Sequence, residues 1–118
     1  MTLRPLLPGE IVVAQALLER TGQPQWSALD LSALLVSDME DGGMGSLQFH
    51  SSKPYREYGR TLAEGWFKDV DNFPVQVALN LDTDDDVYEL DSWKVDFSPR
   101  RRLPKTKADI VSDPAELA

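Results

Sequence analysis

From Pro74 to Leu81 the chain alternates without a break, with Val75, Val77, Leu79 and Leu81 on one side and Gln76, Ala78 and Asn80 on the other. A period of two held this long is a strand with one buried face, and such a strand needs paired neighbours and an apolar layer to lie against. The preceding residues offer that layer. Pro8-Gly9-Glu10 leads into Ile11, Val12, Ala14, Leu17 and Leu18 and ends at Thr21-Gly22, which predicts an amphipathic helix over residues 8–21. Gln23-Pro24-Gln25 breaks the pattern, and Ser27 is placed to cap a second, shorter helix through Leu34. Strands are predicted at 35–40 and 44–50, joined by a tight turn at Asp41-Gly42-Gly43, then at 60–68 and, after a turn at 83–86, at 87–97. In the last strand Tyr88 and Leu90 fall on one parity while Trp93, Val95 and Phe97 fall on the other. A β-bulge near Asp91-Ser92 is therefore expected.

Two helices followed by about five strands with short turns predict an α+β fold, the two N-terminal helices packed on one face of an antiparallel meander sheet. No crossover helix separates the strands, which disfavours parallel pairing. A chain of 118 residues holds one domain. That domain is expected over residues 1–104, and residues 105–118 are expected to form a flexible C-terminal tail because periodicity ends after Phe97.

Several chemistries lack their parts. There is no cysteine and His50 is the single histidine, which removes disulfides, thiolate catalysis and Cys/His zinc sites. His50 sits on the polar side of its strand with no nucleophile or acid in a recognised arrangement, so no catalytic residue is assigned. Gly42-Gly43-Met44-Gly45 lacks the lysine and the following helix of a phosphate loop and reads as a hairpin turn, so no cofactor is implied. Asp82-Thr83-Asp84-Asp85-Asp86 begins like a calcium loop, but Val87 stands where glycine is needed and Trp93 where glutamate is needed. That segment reads as a solvated turn, and no metal site is assigned. No apolar run approaches the roughly 18 residues of a membrane span, and the N-terminus shows no signal-like apolar stretch, so a cytoplasmic setting without membrane insertion is expected.

The charge is unevenly distributed. The chain carries a net -8, and residues 1–93 hold 6 bases against 16 acids, whereas residues 94–118 hold 6 bases against 4 acids. Asp82, Asp84, Asp85, Asp86, Glu89 and Asp91 crowd into ten residues with no base among them. Arg100, Arg101, Arg102, Lys105 and Lys107 form a basic arm, expected to fold back over the acidic sheet rather than to bind nucleic acid, which the remaining surface would repel. The leading functional reading is a non-enzymatic interaction domain that meets a basic protein partner through the six acids, with Trp93 as an aromatic anchor if the bulge turns it outward. An immunity protein set against a toxin's cationic site is the sharpest form of that reading. The alternative is a small-molecule-binding domain or small enzyme with a pocket between sheet and helices, lined by Trp66, Tyr88 and Trp93 and holding His50 or a carboxylate. An exposed edge strand would also allow two copies to pair as a homo-oligomer.

Two segments, Asp41-Gly42-Gly43-Met44-Gly45-Ser46-Leu47-Gln48-Phe49 and Glu89-Leu90-Asp91-Ser92-Trp93-Lys94-Val95-Asp96-Phe97-Ser98-Pro99, carry a resemblance, supported by Leu79-Asn80-Leu81-Asp82. They resemble a family of small bacterial proteins classed as a domain of unknown function, over most of the chain from Arg4 to Pro104. The resemblance implies a bacterial, cytoplasmic setting. It brings no catalytic residue and no cofactor with it.

Overall fold

The structure, a computed structural model, describes residues 2–117; Met1 and Ala118, at the outer limits of the expected domain and tail, lie outside the described residues. Six strands form one antiparallel sheet: β1 (Arg4–Pro5), β2 (Leu35–Asp38), β3 (Leu47–Phe49), β4 (Tyr58–Lys68), β5 (Pro74–Asp82) and β6 (Val87–Lys94). Their spatial order is β1-β2-β3-β6-β5-β4, two three-stranded meanders joined where β3 meets β6. The fold is the expected α+β arrangement, with one strand more than expected. The addition is β1, too short to leave a periodic signal, paired to β2 through Arg4 opposite Val36.

Helix α1 (Pro8–Arg20) opens on Pro8, where a missing N–H costs nothing, and Glu10 reaches back to accept the Leu7 N–H at 2.7 Å. Its Val13, Ala14, Leu17 and Leu18 are buried against Phe67, Val75, Val77, Leu79, Leu90, Leu47 and Phe49 of the sheet. Each of these valine, leucine and phenylalanine side chains contributes about 1.5–3 kcal/mol on burial. The second helix differs from the expectation. Pro24 does not break the chain but starts α2 (Pro24–Ser27), and a separate 3-10 turn, Leu31–Ala33, follows with Asp30 accepting from the Ser32 N–H at 3.1 Å. Proline at a first helical position is favourable, so Pro24 acts as a start signal where the sequence pattern suggested a stop.

The bulge in β6 also lies elsewhere than expected. Pairing with β5 runs unbroken from Val75 opposite Lys94 to Asn80 opposite Glu89, and the shift falls between Asn80 and Leu81, which faces Val87. The extra residue is Tyr88. From Glu89 onward, Leu90, Ser92 and Lys94 therefore point toward α1, and Glu89, Asp91 and Trp93 point to the opposite face, which no α-helix covers among the described residues. The strand ends at Lys94, short of the expected end at Phe97, which is 68% exposed in a turn.

Residues 105–117 do not trail away from the domain. Val111 pairs with Trp66 on the outer edge of β4, its N–H donating to the Trp66 carbonyl and its carbonyl accepting the Trp66 N–H, both at 2.8 Å. Ile110 is 3% exposed in the core, and its carbonyl accepts from the Arg20 guanidinium. The closeness rests on Gly65, where any Cβ would meet Ile110 and the Val111 carbonyl oxygen. This contact also covers part of an edge that would otherwise invite another strand. Ending the chain after Pro104 should lower unfolding stability by about 2–4 kcal/mol, from lost Ile110 burial and two backbone bonds. Urea unfolding of the shortened and full chains followed by tryptophan fluorescence measures the difference.

Candidate functional site

The six acids singled out from the sequence divide into two groups. Asp82, at the end of β5, is buried, and its side chain accepts four hydrogen bonds: Oδ1 from the N–H groups of Asp84 (2.9 Å) and Asp86 (3.0 Å), Oδ2 from Lys53 Nζ and Arg56 Nε, both at 2.8 Å. Lys53 Nζ also lies 3.2 Å from Asp84 and 2.6 Å from Asp86, and Arg60 Nε lies 3.1 Å from Asp85. The turn that begins like a calcium loop thus converges on an ammonium group supplied by its own chain. Among the described residues no cluster of three or more ligating side chains is arranged to hold a metal ion.

The bases that neutralise this turn come from the loop between β3 and β4 (Lys53, Arg56) and from β4 itself (Arg60), distant in sequence. Arg56 is fixed further by donating to the Phe49 carbonyl at 2.8 Å and the Val87 carbonyl at 2.6 Å, with its guanidinium 4.9 Å from the Tyr88 ring centre. Burial alone would raise the Asp82 pKa, but Lys53, Arg56 and the two backbone donors outweigh it and hold the carboxyl well below its ordinary value.

The second group, Glu89 and Asp91, has no ion-pair partner among the described residues. Both lie on the uncovered face of the sheet with Trp93. Asp91 accepts from Asn80 Nδ2 at 3.0 Å, and Asn80 Oδ1 in turn accepts from Thr61 at 2.8 Å. Partial burial and the Asp91 charge push the Glu89 pKa up. Trp93 is 38% exposed, edge-on to Trp66 at 6.3 Å and to Phe97 at 5.9 Å. Trp66 and Trp93 flank Gln76 across three strands, so the rings form a ladder on the surface and line no pocket between sheet and helices.

The basic arm folds back, but onto other partners than the acidic turn. The Arg100 N–H donates to the Gly43 carbonyl at 3.0 Å, and its guanidinium lies against Gly45, at a spot that a side chain there would occupy. The Arg101 N–H donates to Asp69 at 2.8 Å, Arg102 donates to the Lys68 carbonyl at 2.9 Å, and Lys107 pairs with Glu19 at 2.9 Å. Lys105 is exposed and lines an apolar groove with Leu7 and Leu103. Lys94, which the expected register did not place inside, is fully buried between Asp69 at 3.1 Å and Asp71 at 2.5 Å. Its burial opposes the charged form, and the two carboxylates more than restore it, leaving the pKa raised. His50 is exposed at the end of β3.

The description of one protein family, Domain of unknown function (DUF6984), matches residues 3–104. The chain belongs to this family. Among curated proteins and among solved structures nothing matches it. The DUF6984 match takes in all six strands and the Asp82 turn, and it stops before the segment that pairs with Trp66.

The clamp around Asp82 sets a pH dependence. A carboxyl whose pKa is depressed by folding stabilises the folded chain fully above its unfolded value near 3.8, and that contribution is lost as pH falls through the lower folded value. Glu89 runs the other way, because its raised pKa favours the folded chain below about 4.5 and costs stability as pH rises past it. Replacing Asp82 by asparagine should cost about 3 kcal/mol at neutral pH, since one partner of a buried ion pair is removed and the bases are left behind. The loss should shrink toward acid. Chemical denaturation of wild type and Asp82→Asn between neutrality and acid pH reads both effects.

Proposed function

We propose that this DUF6984 chain is a non-enzymatic interaction domain that binds a basic protein surface on the uncovered face of its sheet. The observation that carries the reading is the ladder of Trp66, Trp93 and Phe97 beside Glu64, Glu89 and Asp91, three carboxylates without an ion pair among the described residues. Aromatic anchors beside unpaired carboxylates suit a partner of opposite charge, which gains speed from steering and affinity from burying the rings. A lysine or arginine brought beside Glu89 would also relieve its repulsion with Asp91.

The acidic turn is the weaker part of the earlier expectation. Lys53, Arg56 and Arg60 already engage Asp82, Asp84, Asp85 and Asp86, so those carboxylates have less to gain from a partner. Binding is assigned instead to Glu89, Asp91 and Trp93. Inhibition of a toxin with a cationic site is one role that this chemistry serves.

The test is capture from a lysate of the native host, with the retained protein identified and its affinity for each variant measured. Trp93→Ala should weaken binding at least about tenfold, as truncation of an interface anchor does. The pair Glu89→Gln with Asp91→Asn should weaken binding and flatten its dependence on salt. Asp85→Asn should change little. A basic protein held equally well by the first two variants would overturn the proposal.

A further inference from the structure

Ser37 in β2 is 5% exposed, yet its hydroxyl makes no hydrogen bond to any described residue. Among the described residues the single side-chain nitrogen or oxygen that is both sealed from solvent and unpartnered is Trp26 Nε1. The Ser37 hydroxyl therefore meets solvent through the little surface left to it. That surface lines a cavity of about 330 Å³, a volume within the range of small-molecule sites.

Strand register puts the hydroxyl on the uncovered face of the sheet. Ser37 lies opposite Gln48 in β3, and Gln48 lies opposite Glu89 in β6; residues directly opposed in a sheet share a face. The neighbouring pair, Val36 and Phe49, is in the core on the other side. Gln48 and His50, two residues apart, thus join Ser37 along the cavity. The chain between β3 and β4 folds over them, and Pro54 and Leu3 supply apolar wall. None of these residues belongs to the aromatic ladder.

Two cations line the cavity with no free charge to offer. An ammonium has three N–H donors, and Lys53 Nζ lies within 3.2 Å of Asp82, Asp84 and Asp86. All three guanidinium nitrogens of Arg56 are engaged, with Asp82 and with the Phe49 and Val87 carbonyls. No carboxylate is among the described lining residues. The groups left for a ligand are the Ser37 hydroxyl, the Gln48 amide and the His50 imidazole. Each can donate and accept. Their complement is an uncharged molecule whose own groups do both, as adjacent hydroxyls do.

We infer that this cavity binds a neutral polyol the size of one sugar ring, its hydroxyls exchanging hydrogen bonds with Ser37, Gln48 and His50 and its C–H face lying on Leu3 and Pro54.

The test is nuclear magnetic resonance of the isotope-labelled full chain during titration with methyl α-D-glucopyranoside and with myo-inositol. Glucuronate is the charged counterpart, and cyclohexanol keeps a ring with a single hydroxyl. The Gln48 side-chain amide signals and the Ser37 and His50 backbone signals should shift and saturate with at least one of the two polyols. Glucuronate and cyclohexanol should bind at least about tenfold more weakly, the first for want of a free cation and the second for want of hydrogen bonds. Ser37→Ala should weaken polyol binding about fivefold, the share of one hydrogen bond. It should leave the urea midpoint where it is, because the hydroxyl has no partner within the chain. No saturable shift with either polyol, glucuronate or cyclohexanol held as tightly, or wild-type affinity in Ser37→Ala would overturn the inference. So would a lowered midpoint in Ser37→Ala, which would show that the hydroxyl serves the fold.

Discussion

Tyr88 has no partner across the sheet, and because Asn80 faces Glu89 while Leu81 faces Val87, that one unpaired residue sets the parity of everything after it in β6. Leu90 and Ser92 go inward, where Ser92 N–H donates to Ser46 Oγ at 2.9 Å and joins β6 to the hairpin loop before β3. Lys94 goes inward too. A buried ammonium must be paired, and the β4–β5 turn supplies Asp69 and Asp71 for it. Asp69 then also accepts from the Arg101 N–H, so the same buried charge that closes the end of the sheet fastens the chain leaving it. The alternate residues, Glu89, Asp91 and Trp93, have no such partners and make up the uncovered face.

A common rule governs the charges: wherever a carboxylate is buried, a base is brought to it, most often from far away in sequence. Glu10 is met by Arg4 at 2.9 Å, Asp82 by Lys53 and Arg56, and Asp69 by Lys94. The segregation of charge along the sequence is thus not preserved in space. The acid-rich turn lies under a loop that carries Lys53 and Arg56 and beside Arg60 of β4, and the basic arm spreads over Gly43, Asp69, Lys68 and Glu19. What remains acidic is what folding did not need to neutralise.

The parts legible in the sequence are those set by local periodicity. α1, β5 and the turns at Asp41–Gly43 and after Asp82 stand close to where hydrophobic spacing and turn residues put them, and with them the fold class. Whatever depended on the partner of a strand was not legible. The apolar parity of Trp93, Val95 and Phe97 suggested an inward run, yet the ladder turned those positions away, because Lys94 gains two carboxylates inside while Trp93 stacks on Trp66 outside. Lys53 and Arg56 were overlooked as site residues for a similar reason. Their signal was present, two bases three residues apart in a loop of otherwise turn-forming character, but only the pairing of β3 with β6 brings that loop to Asp82. Ile110 and Val111 give no periodic pattern, and their place depends on the missing side chain of Gly65.

Three features do not follow the economy seen elsewhere in the chain. Phe97 holds a left-handed backbone at φ 62° with its ring 68% exposed, so it bears a conformational cost of about 1–2 kcal/mol with little burial to offset it. Among the described residues, Glu89 and Asp91 lie near each other without an ion pair, and Trp26 buries a donor that has no acceptor. A glycine at 97, a lysine at 89 and a phenylalanine at 26 would each relieve one of these costs within the same fold. Sequences that satisfy local rules nearly everywhere tend to break them where something other than folding is being served. Here the breaks fall in two places, the aromatic face of the sheet and the buried indole of Trp26.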